Sequence, residues 1–575
     1  MKAAIGIENC GRGLEAHAEA GRMPALQENN MKTKLAMAAL FVLVAGSIFM
    51  AACSHQASKQ SAAGNSAAAG DMTRATQPKA DSESAPKDVP HSVYGDPANP
   101  DNVERGKPRE GEPYDMFFKE HGVNPFVDTE DDKLSTFAVD TDTGSYTVCR
   151  DYLNRGNMPP TEAARSEEFV NYFKYGYEAP TKEPFNIIMD CAPSRFGADL
   201  KNCHLLRVGL QGRVIETRNR KPAVLTFCID ISGSMNMENR LGLVKRALGL
   251  LIDQLQEGDR VGIAVYGSRG YEYMSHRDAS RKQEILKALN DLGPDGSTNA
   301  EEGIKVAYEM AEREFNARSI NRIVLCSDGV ANVGNTGPEA ILKQIEEKRR
   351  KGITLTAVGF GMSNYNDHLM EQLGDKGDGH YAYVDTLDEA KRVFVENLTG
   401  TLQVIARDVK VQIEFNPEVV KSYRLIGYEN RDVADKDFRN DAVDGGEVGS
   451  AHSVTALYEL KLYENKQGPL ANTTVRYKHD ERDEFAELNY EISTRHIHAE
   501  WEKAPANMKL AATVAEFAEL LRKSYWAKGG SFEAVIADAK KLALESNDNE
   551  VLDFVALCRK AQDLKSKGSG SAGGD

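Results

Sequence analysis

Oxygen-bearing side chains gather at three places in the sequence, and together they could hold a hard cation. The first is "VLTFCIDISGSMN" (224–236), where a β-forming apolar run passes into Asp230, Ser232 and Ser234 with no polar spacer. The second is "GPDGSTNAEEGI" (293–304), a loop entering a helix with Ser297 and Thr298 at its tip. The third is "RIVLCSD", an apolar run that ends in Asp328. If the two runs are neighbours in a sheet, Asp230, Ser232, Ser234, Thr298 and Asp328 converge on one edge. Such ligands suit Mg²⁺, which takes octahedral geometry at about 2.1 Å and keeps some waters; Mn²⁺ and Ca²⁺ are alternatives. Two carboxylates offset the ion's charge and the hydroxyls add none, so the metal stays electrophilic, with a position open to an outside carboxylate. The plainer use of Asp, Ser and Gly after a strand is a turn that caps a helix. One such segment alone reads as a turn; three in this order read as a site.

The elements that must position these residues are legible from their periods. Between 222 and 405 strand-length apolar runs ("AVLTFCID", "DRVGIAVYG", "RIVLCSD", "ITLTAVGFG") alternate with stretches of helical spacing such as "NAEEGIKVAYEMAEREF". That alternation predicts an α/β domain with a doubly wound, mostly parallel sheet covered by helices on both faces. In such sheets ligands bind outside the carboxyl ends of the strands. The flanks differ. Residues 111–221 hold a helical piece and two strands; 406–500 hold a succession of strands such as "SVTALYELKLY". The economical arrangement is one β-sandwich built from both flanks with the α/β unit inserted into it. Residues 501–566 carry amphipathic helices, expected to form a small bundle, and 567–575 a disordered tail.

At this point a resemblance becomes specific. "DISGS", "GSTNAEEG" and "SDGVANVG" resemble the three segments of the metal-ion-dependent adhesion site of von Willebrand factor type A domains. Asp230, Ser232 and Ser234 match the Asp-x-Ser-x-Ser segment, Thr298 the lone threonine and Asp328 the later aspartate. The resemblance implies a divalent cation, usually Mg²⁺, and a protein ligand that supplies Asp or Glu to its open position. It also implies coupling of ligand engagement to the domain's last helix, here about 386–404. The flanking "GSYTVCRDYLNRGNMPPTEAARSEEFVNYFKYGY", "DFRNDAVDGGEVGSAHSVTALYEL" and "KLAATVAEFAELLRKS" resemble the remaining parts of a bacterial von Willebrand-domain lipoprotein family.

The N-terminal stretch reads separately. "MKTKLAMAALFVLVAGSIFMAAC" (31–53) has two lysines, an apolar core and small residues before Cys53. That is the order of a secretory signal, and it resembles a lipoprotein signal whose cysteine, Cys53, becomes the lipidated first residue; Met50 stands where such signals usually carry Leu. Residues 1–30 lack signal character and are expected to precede the true start. Residues 54–110 are rich in Ala, Ser, Gly, Pro, Asp and Lys and read as a flexible tether. The expected location is therefore the bacterial cell envelope, lipid-anchored, with the outer membrane or periplasm favoured.

A net charge of −16 argues against a nucleic-acid partner, and "VGFGMSN" lacks the third glycine of a dinucleotide loop. Export permits disulfides, and a bridge between Cys191 and Cys203, which flank a short turn, is expected. His496 and His498 in "TRHIHAE" read as strand residues with surface or packing roles, "VDTDTGSY" (139–146) as a helix-capping turn, and His452 receives no role. The sequence thus points to a non-enzymatic binding module that captures an acidic side chain through the cation. Two alternatives remain: a scaffold whose metal only stabilises loops, and a metal-assisted hydrolase using the same ion.

Overall fold

The computed structural model describes residues 116–570, apart from positions 196, 198, 199, 201, 330–337, 363, 364, 398, 399, 401 and 481. The signal segment, Cys53 and the tether lie outside the described residues. Among the described residues no helix is long and apolar enough to cross a membrane.

The first flank contributes β1 (Val127–Asp128), β2 (Leu134–Ala138), helices α1 (Gly144–Asn154) and α2 (Ser166–Tyr172), then β3 (Phe185–Pro193) and β4 (Cys203–Gly212). The central domain follows with β5 (Ala223–Asp230), α3 (Arg240–Asp253), β6 (Arg260–Tyr266), β7 (Gly270–Asp278), α4 (Lys282–Asn290), α5 (Ala300–Arg313) and β8 (Ile320–Ser327). It closes with α6 (Pro338–Arg349), β9 (Ile353–Gly359), α7 (Asp367–Lys376), β10 (Tyr381–Tyr383) and α8 (Leu387–Lys391), which runs on as a π-helical turn over Arg392–Glu396. The second flank is β11 (Val404–Phe415), β12 (Val420–Ile426), β13 (Gly446–Gly449), β14 (Ser453–Leu462), β15 (Pro469–His479) and β16 (Phe485–Ser493). Helices α9 (Ala506–Leu521), α10 (Phe532–Ser546) and α11 (Asn549–Gly570) complete it.

The central sheet has the order β10-β9-β8-β5-β6-β7. Its strands are parallel except for β7, which returns antiparallel beside β6. β5 is buried at every position, as a central parallel strand covered on both faces must be. Leu225, Phe227 and Ile229 point to one apolar cluster with α3, and Cys228 points to the other with α5. The expected α/β architecture is therefore observed.

Strands from both flanks interleave. β1-β12-β14-β4-β3 form one antiparallel sheet, β13-β11-β15-β16 the other, and β2 adds to β11. Ile187, Met189 and Val208 from the first sheet share a core with Val411, Ile413 and Val475 from the second, which makes the pair a sandwich. The insertion enters and leaves at one place, where the Lys221 amide donates to Gln403 Oε1 at 3.1 Å.

The C-terminal helices pack against one another as expected, and Met508, Phe517 and Phe554 share one core with Tyr146, Phe169 and Phe173 of the first flank. Two expectations are corrected. Helix α11 continues to Gly570, into the stretch read as a disordered tail. Cys191 and Cys203 are buried thiols that form no disulfide. β3 and β4 pair with Cys191 opposite Leu206, so Cys203 stands three positions out of register and on the other face. His496 also departs from the strand reading, since it ends a 3₁₀ turn (Thr494–His496) that follows β16.

Candidate metal centre

β5 and β8 lie side by side and parallel, with Ile229 opposite Cys326. Asp230 and Asp328 therefore leave the sheet at adjacent carboxyl ends. Asp230 is fully buried. Its Oδ1 accepts the Ser232 amide at 2.8 Å and its Oδ2 the Ser327 hydroxyl at 2.9 Å. Ser232 Oγ lies 3.0 Å from Ser234 Oγ. Ser232 sits at the N-cap of the 3₁₀ turn Gly233–Asn239, yet its side chain caps nothing. A pure turn-and-cap role thus accounts for the Asp230 carboxylate but not for this hydroxyl.

Asp328 takes the Arg240 guanidinium on Oδ2 at 2.7 Å, and Arg240, from the start of α3, is itself buried. Gly361 permits this approach, because a Cβ there would run into the guanidinium. The loop carrying Thr298 is pinned beside the cluster. The Gly233 amide donates to Gly296 O, and the Asn299 amide to Gly267 O, both at 2.9 Å. Gly296 adopts φ +70° with Ser268 Oγ against its α-carbon, a conformation and a clearance that only glycine supplies. Asn299 then caps α5 through the Glu302 amide. The Thr298 hydroxyl, half-buried, has no hydrogen-bond partner among the described residues. The residues 330–337 that follow the third segment lie outside the described residues.

The electrostatics of this rim are unbalanced. Burial, and next the Asp328 carboxylate, push the Asp230 carboxyl up to about 6. Burial also raises Asp328, against the pull of the Ser234 hydroxyl and the Arg240 guanidinium. Of two desolvated acids only Asp328 thus has a guanidinium, and the Ser232 and Ser234 hydroxyls stand beside them. That donor set, hard oxygen with a deficit of positive charge, fits a divalent cation of the Mg²⁺ type.

Two other acidic groups are drawn together that the sequence did not single out. Asp140, Glu168 and Glu371 form a buried triad, and arginines clasp it. Arg431 donates to Asp140 at 2.9 Å and to Asp375 at 2.7 Å, while Arg165 pairs with Glu371 at 2.5 Å and with Glu168. Asp140 belongs to "VDTDTGSY", whose turn is present, the Asp142 amide donating to Asp140 Oδ1 at 2.8 Å. No helical cap is made by Thr143. The second group, Asp378, Asp444 and Glu447, surrounds Arg349, which reaches Asp378 at 2.6 Å and Asp444 at 2.7 Å. Arg240 and Arg431 carried no sequence signal, because each meets its acid only after the sheet and seam are assembled, whereas Arg165 meets Glu168 locally and Glu371 only across the seam.

Comparison with known proteins agrees with this architecture. Residues 225–398 match the family model described as von Willebrand factor type A domain, and residues 112–204 one described as von Willebrand factor. Residues 400–564 match one described as the C-terminal part of the uncharacterised protein YfbK. The chain is 33% identical over 471 residues to YfbK of Escherichia coli, spanning 77% of this chain and 80% of that protein. It is 25% identical over 232 residues to an uncharacterised Synechocystis protein, covering 40% of this chain and 54% of the relative. A solved von Willebrand factor type A protein from Catenulispora acidiphila aligns at a TM-score of 0.40 and 14% identity, over 67% of this chain and 91% of that one.

Proposed function

This chain belongs to the bacterial YfbK family of von Willebrand factor type A proteins, and from that premise we propose that it is a lipid-anchored, cation-dependent adhesion or scaffolding protein of the cell envelope. Its type A domain is a protein-interaction module. In this reading Asp230, Ser232, Ser234, Thr298 and Asp328 hold Mg²⁺, and an Asp or Glu of a protein partner completes the ion's coordination. Cys53 carries the lipid, and residues 54–110 tether the folded body to the membrane.

One observation carries the reading. Two buried acids stand at neighbouring strand ends with a guanidinium on Asp328 alone, the Ser232 and Ser234 hydroxyls gathered at them, and a Thr298 hydroxyl that has no partner among the described residues. Buried carboxylates are costly unless paired, and a cation would supply the missing charge. The hydrolase reading requires a placed general base at the ion, and no residue of the rim is offered for that role. The scaffold reading shares the metal and differs only in lacking a partner.

The test uses the mature body, residues 54–575. Titration calorimetry should detect one Mg²⁺ or Mn²⁺ site in the wild type. Thr298→Ala removes a hydroxyl that holds nothing else among the described residues, so it should weaken the ion at unchanged melting temperature. Asp230→Asn should abolish it. Pull-downs from envelope extract in Mg²⁺ and in EDTA then separate the readings: a partner lost with EDTA and with Thr298→Ala supports capture. Cation binding with no EDTA-sensitive partner leaves the scaffold. Absence of any cation binding removes the proposal.

A further inference from the structure

A second charged site lies away from the rim, at the seam between the inserted domain and the sandwich. A cavity of about 100 Å³ is lined there by Thr141, Lys174, Thr356, His380, Asn397 and His452 among others. These come from both flanks, from the β9 and β10 strands, and from the turn after α8. The rings of His380 and His452 meet edge-on, 5.1 Å between centroids. His380 is 8% exposed. Its Nδ1 lies 3.0 Å from Thr141 Oγ1, and its Nε2 is buried without a partner among the described residues. His452 Nδ1 is likewise buried and unpartnered.

Behind the cavity stands Arg322, which is 1% exposed. Its Nη1 donates to the lining residue Thr356 at 2.7 Å, and its Nε has no partner. Among the described residues no carboxylate makes an ion pair with it; Glu447 and Asp378 act on it only from farther off, and Asp378 is taken by Arg349. Burial brings this guanidinium down to about 10, and the same positive charge helps to hold both histidines down. Burial is the first cause for each ring, taking His452 to about 4 and His380 well below its ordinary range. The other charges nearby are already committed. Lys174 shares an exposed pair with Glu396 at 3.3 Å, and Arg392 is taken by Glu550 and the Tyr172 carbonyl. Asp142, next to Thr141, turns to the Tyr381 amide and to Arg431.

An arginine buried without an acid is unfavourable in any protein, and this one sits in a chain of net charge −16. Around it are two neutral imidazoles and two threonines, groups that can donate to oxygen. The geometry points to an oxyanion site: we propose that this cavity binds a small phosphate-type anion, either inorganic phosphate or the terminal phosphate of a metabolite. A divalent metal on the two imidazoles fits less well, because Arg322 repels it and no carboxylate or thiolate completes the set among the described residues. Bound there, the anion gives Arg322 its counter-charge, takes N–H donation from the imidazoles, and fastens β10 and the π-helical turn to the sandwich.

Calorimetry and thermal melting on the mature protein test this. The titrants are inorganic phosphate, glycerol phosphate, sulfate and Zn²⁺, at constant ionic strength against chloride. Phosphate should bind saturably at one site and raise the melting temperature in step with occupancy. The His380→Gln/His452→Gln double variant, checked for folding by near-ultraviolet circular dichroism, should lose at least tenfold in affinity. Lys174→Gln, on an exposed side chain, should lose only a few-fold and stands in if the double variant does not fold. Binding of glycerol phosphate as tight as that of inorganic phosphate identifies a metabolite's phosphate as the ligand, and weaker binding identifies the free ion. No saturable phosphate binding, affinity unchanged in the variants, or Zn²⁺ bound by the same histidines in place of phosphate would each overturn the inference.

Discussion

At the rim of the inserted domain one guanidinium pairs with Asp328 and none with Asp230, whereas at the seam with the sandwich Asp140, Glu168 and Glu371 are clasped by two. Both groups are buried, and both would read as metal sites if acids alone were counted. The difference lies in what neutralises them. Arg165 and Arg431 bring fork-shaped donors from the first and second flanks, so each acid of the triad touches a guanidinium, and the acids act as a fastener between domains. At the rim Asp230 touches no cation among the described residues and is met only by amide and hydroxyl donors. Acids each paired within the chain mark a structural cluster; an unpaired buried acid among hydroxyls marks a site for something from outside.

The largest expected effect breaks the seam. In Arg431→Met, Asp140 and Asp375 lose their partner in a buried setting. Removing one member of a buried pair typically costs about 3–5 kcal/mol, so urea unfolding at pH 7.5 should show a loss of that order. Mg²⁺ affinity at the rim should stay within a factor of two. A stable variant with weakened Mg²⁺ binding would contradict the contrast, because it would make the seam, and not the rim, the ion's support.

Glu167 sharpens the same point with a single acid. It lies beside the seam, 1% exposed, and neither carboxylate oxygen has a partner. Burial, and next Glu429, raise it to about 7 from 4.5. The folded state thus holds this proton more tightly than the unfolded chain. The associated stability is present below pH 4.5 and declines as pH rises through 7. At 1.36 kcal/mol per pKa unit the swing is at most about 3 kcal/mol. Glu167→Gln should remove that part of the slope, gaining stability over the wild type at pH 8 and nothing at pH 4. Parallel stability-versus-pH curves for the two proteins would show that Glu167 finds its counter-charge after all.

How much of this was legible before folding follows the same division. The rim could be read because Asp230, Ser232 and Ser234 are contiguous on a strand end and a turn, and because Thr298 and Asp328 each close a recognisable element. The sandwich could be read from strand periods, since β-pairing needs only alternation and turns. Arg240 is ten residues past Asp230 on an ordinary amphipathic helix, and nothing local aims it at Asp328. Likewise, "EVGSAHSV" gives no hint that His452 meets His380. Charge partners drawn from different layers have no sequence period. The Cys191–Cys203 expectation failed for a related reason, since proximity along a hairpin says nothing about register or face.

The smallest expected effect concerns Arg240, the one balancing charge among the described residues of the rim. If a dication also occupies this rim, the guanidinium repels it, at an effective interior dielectric, by something on the order of 1–2 kcal/mol. Arg240→Met should therefore raise Mg²⁺ affinity by about tenfold, equivalent to about 1.4 kcal/mol. The same change leaves Asp328 buried without its partner, so the metal-free variant should melt below the wild type, and saturating Mg²⁺ should narrow that gap. Calorimetry and melting with and without Mg²⁺ read both halves together. The two shifts must move oppositely, because one guanidinium cannot both neutralise Asp328 in the empty rim and be indifferent to a second cation there. If affinity falls instead, Arg240 acts by holding Asp328 in the position the ion needs. The rim's charge deficit would then be two acids wide, as unbalanced as the seam would be without Arg431.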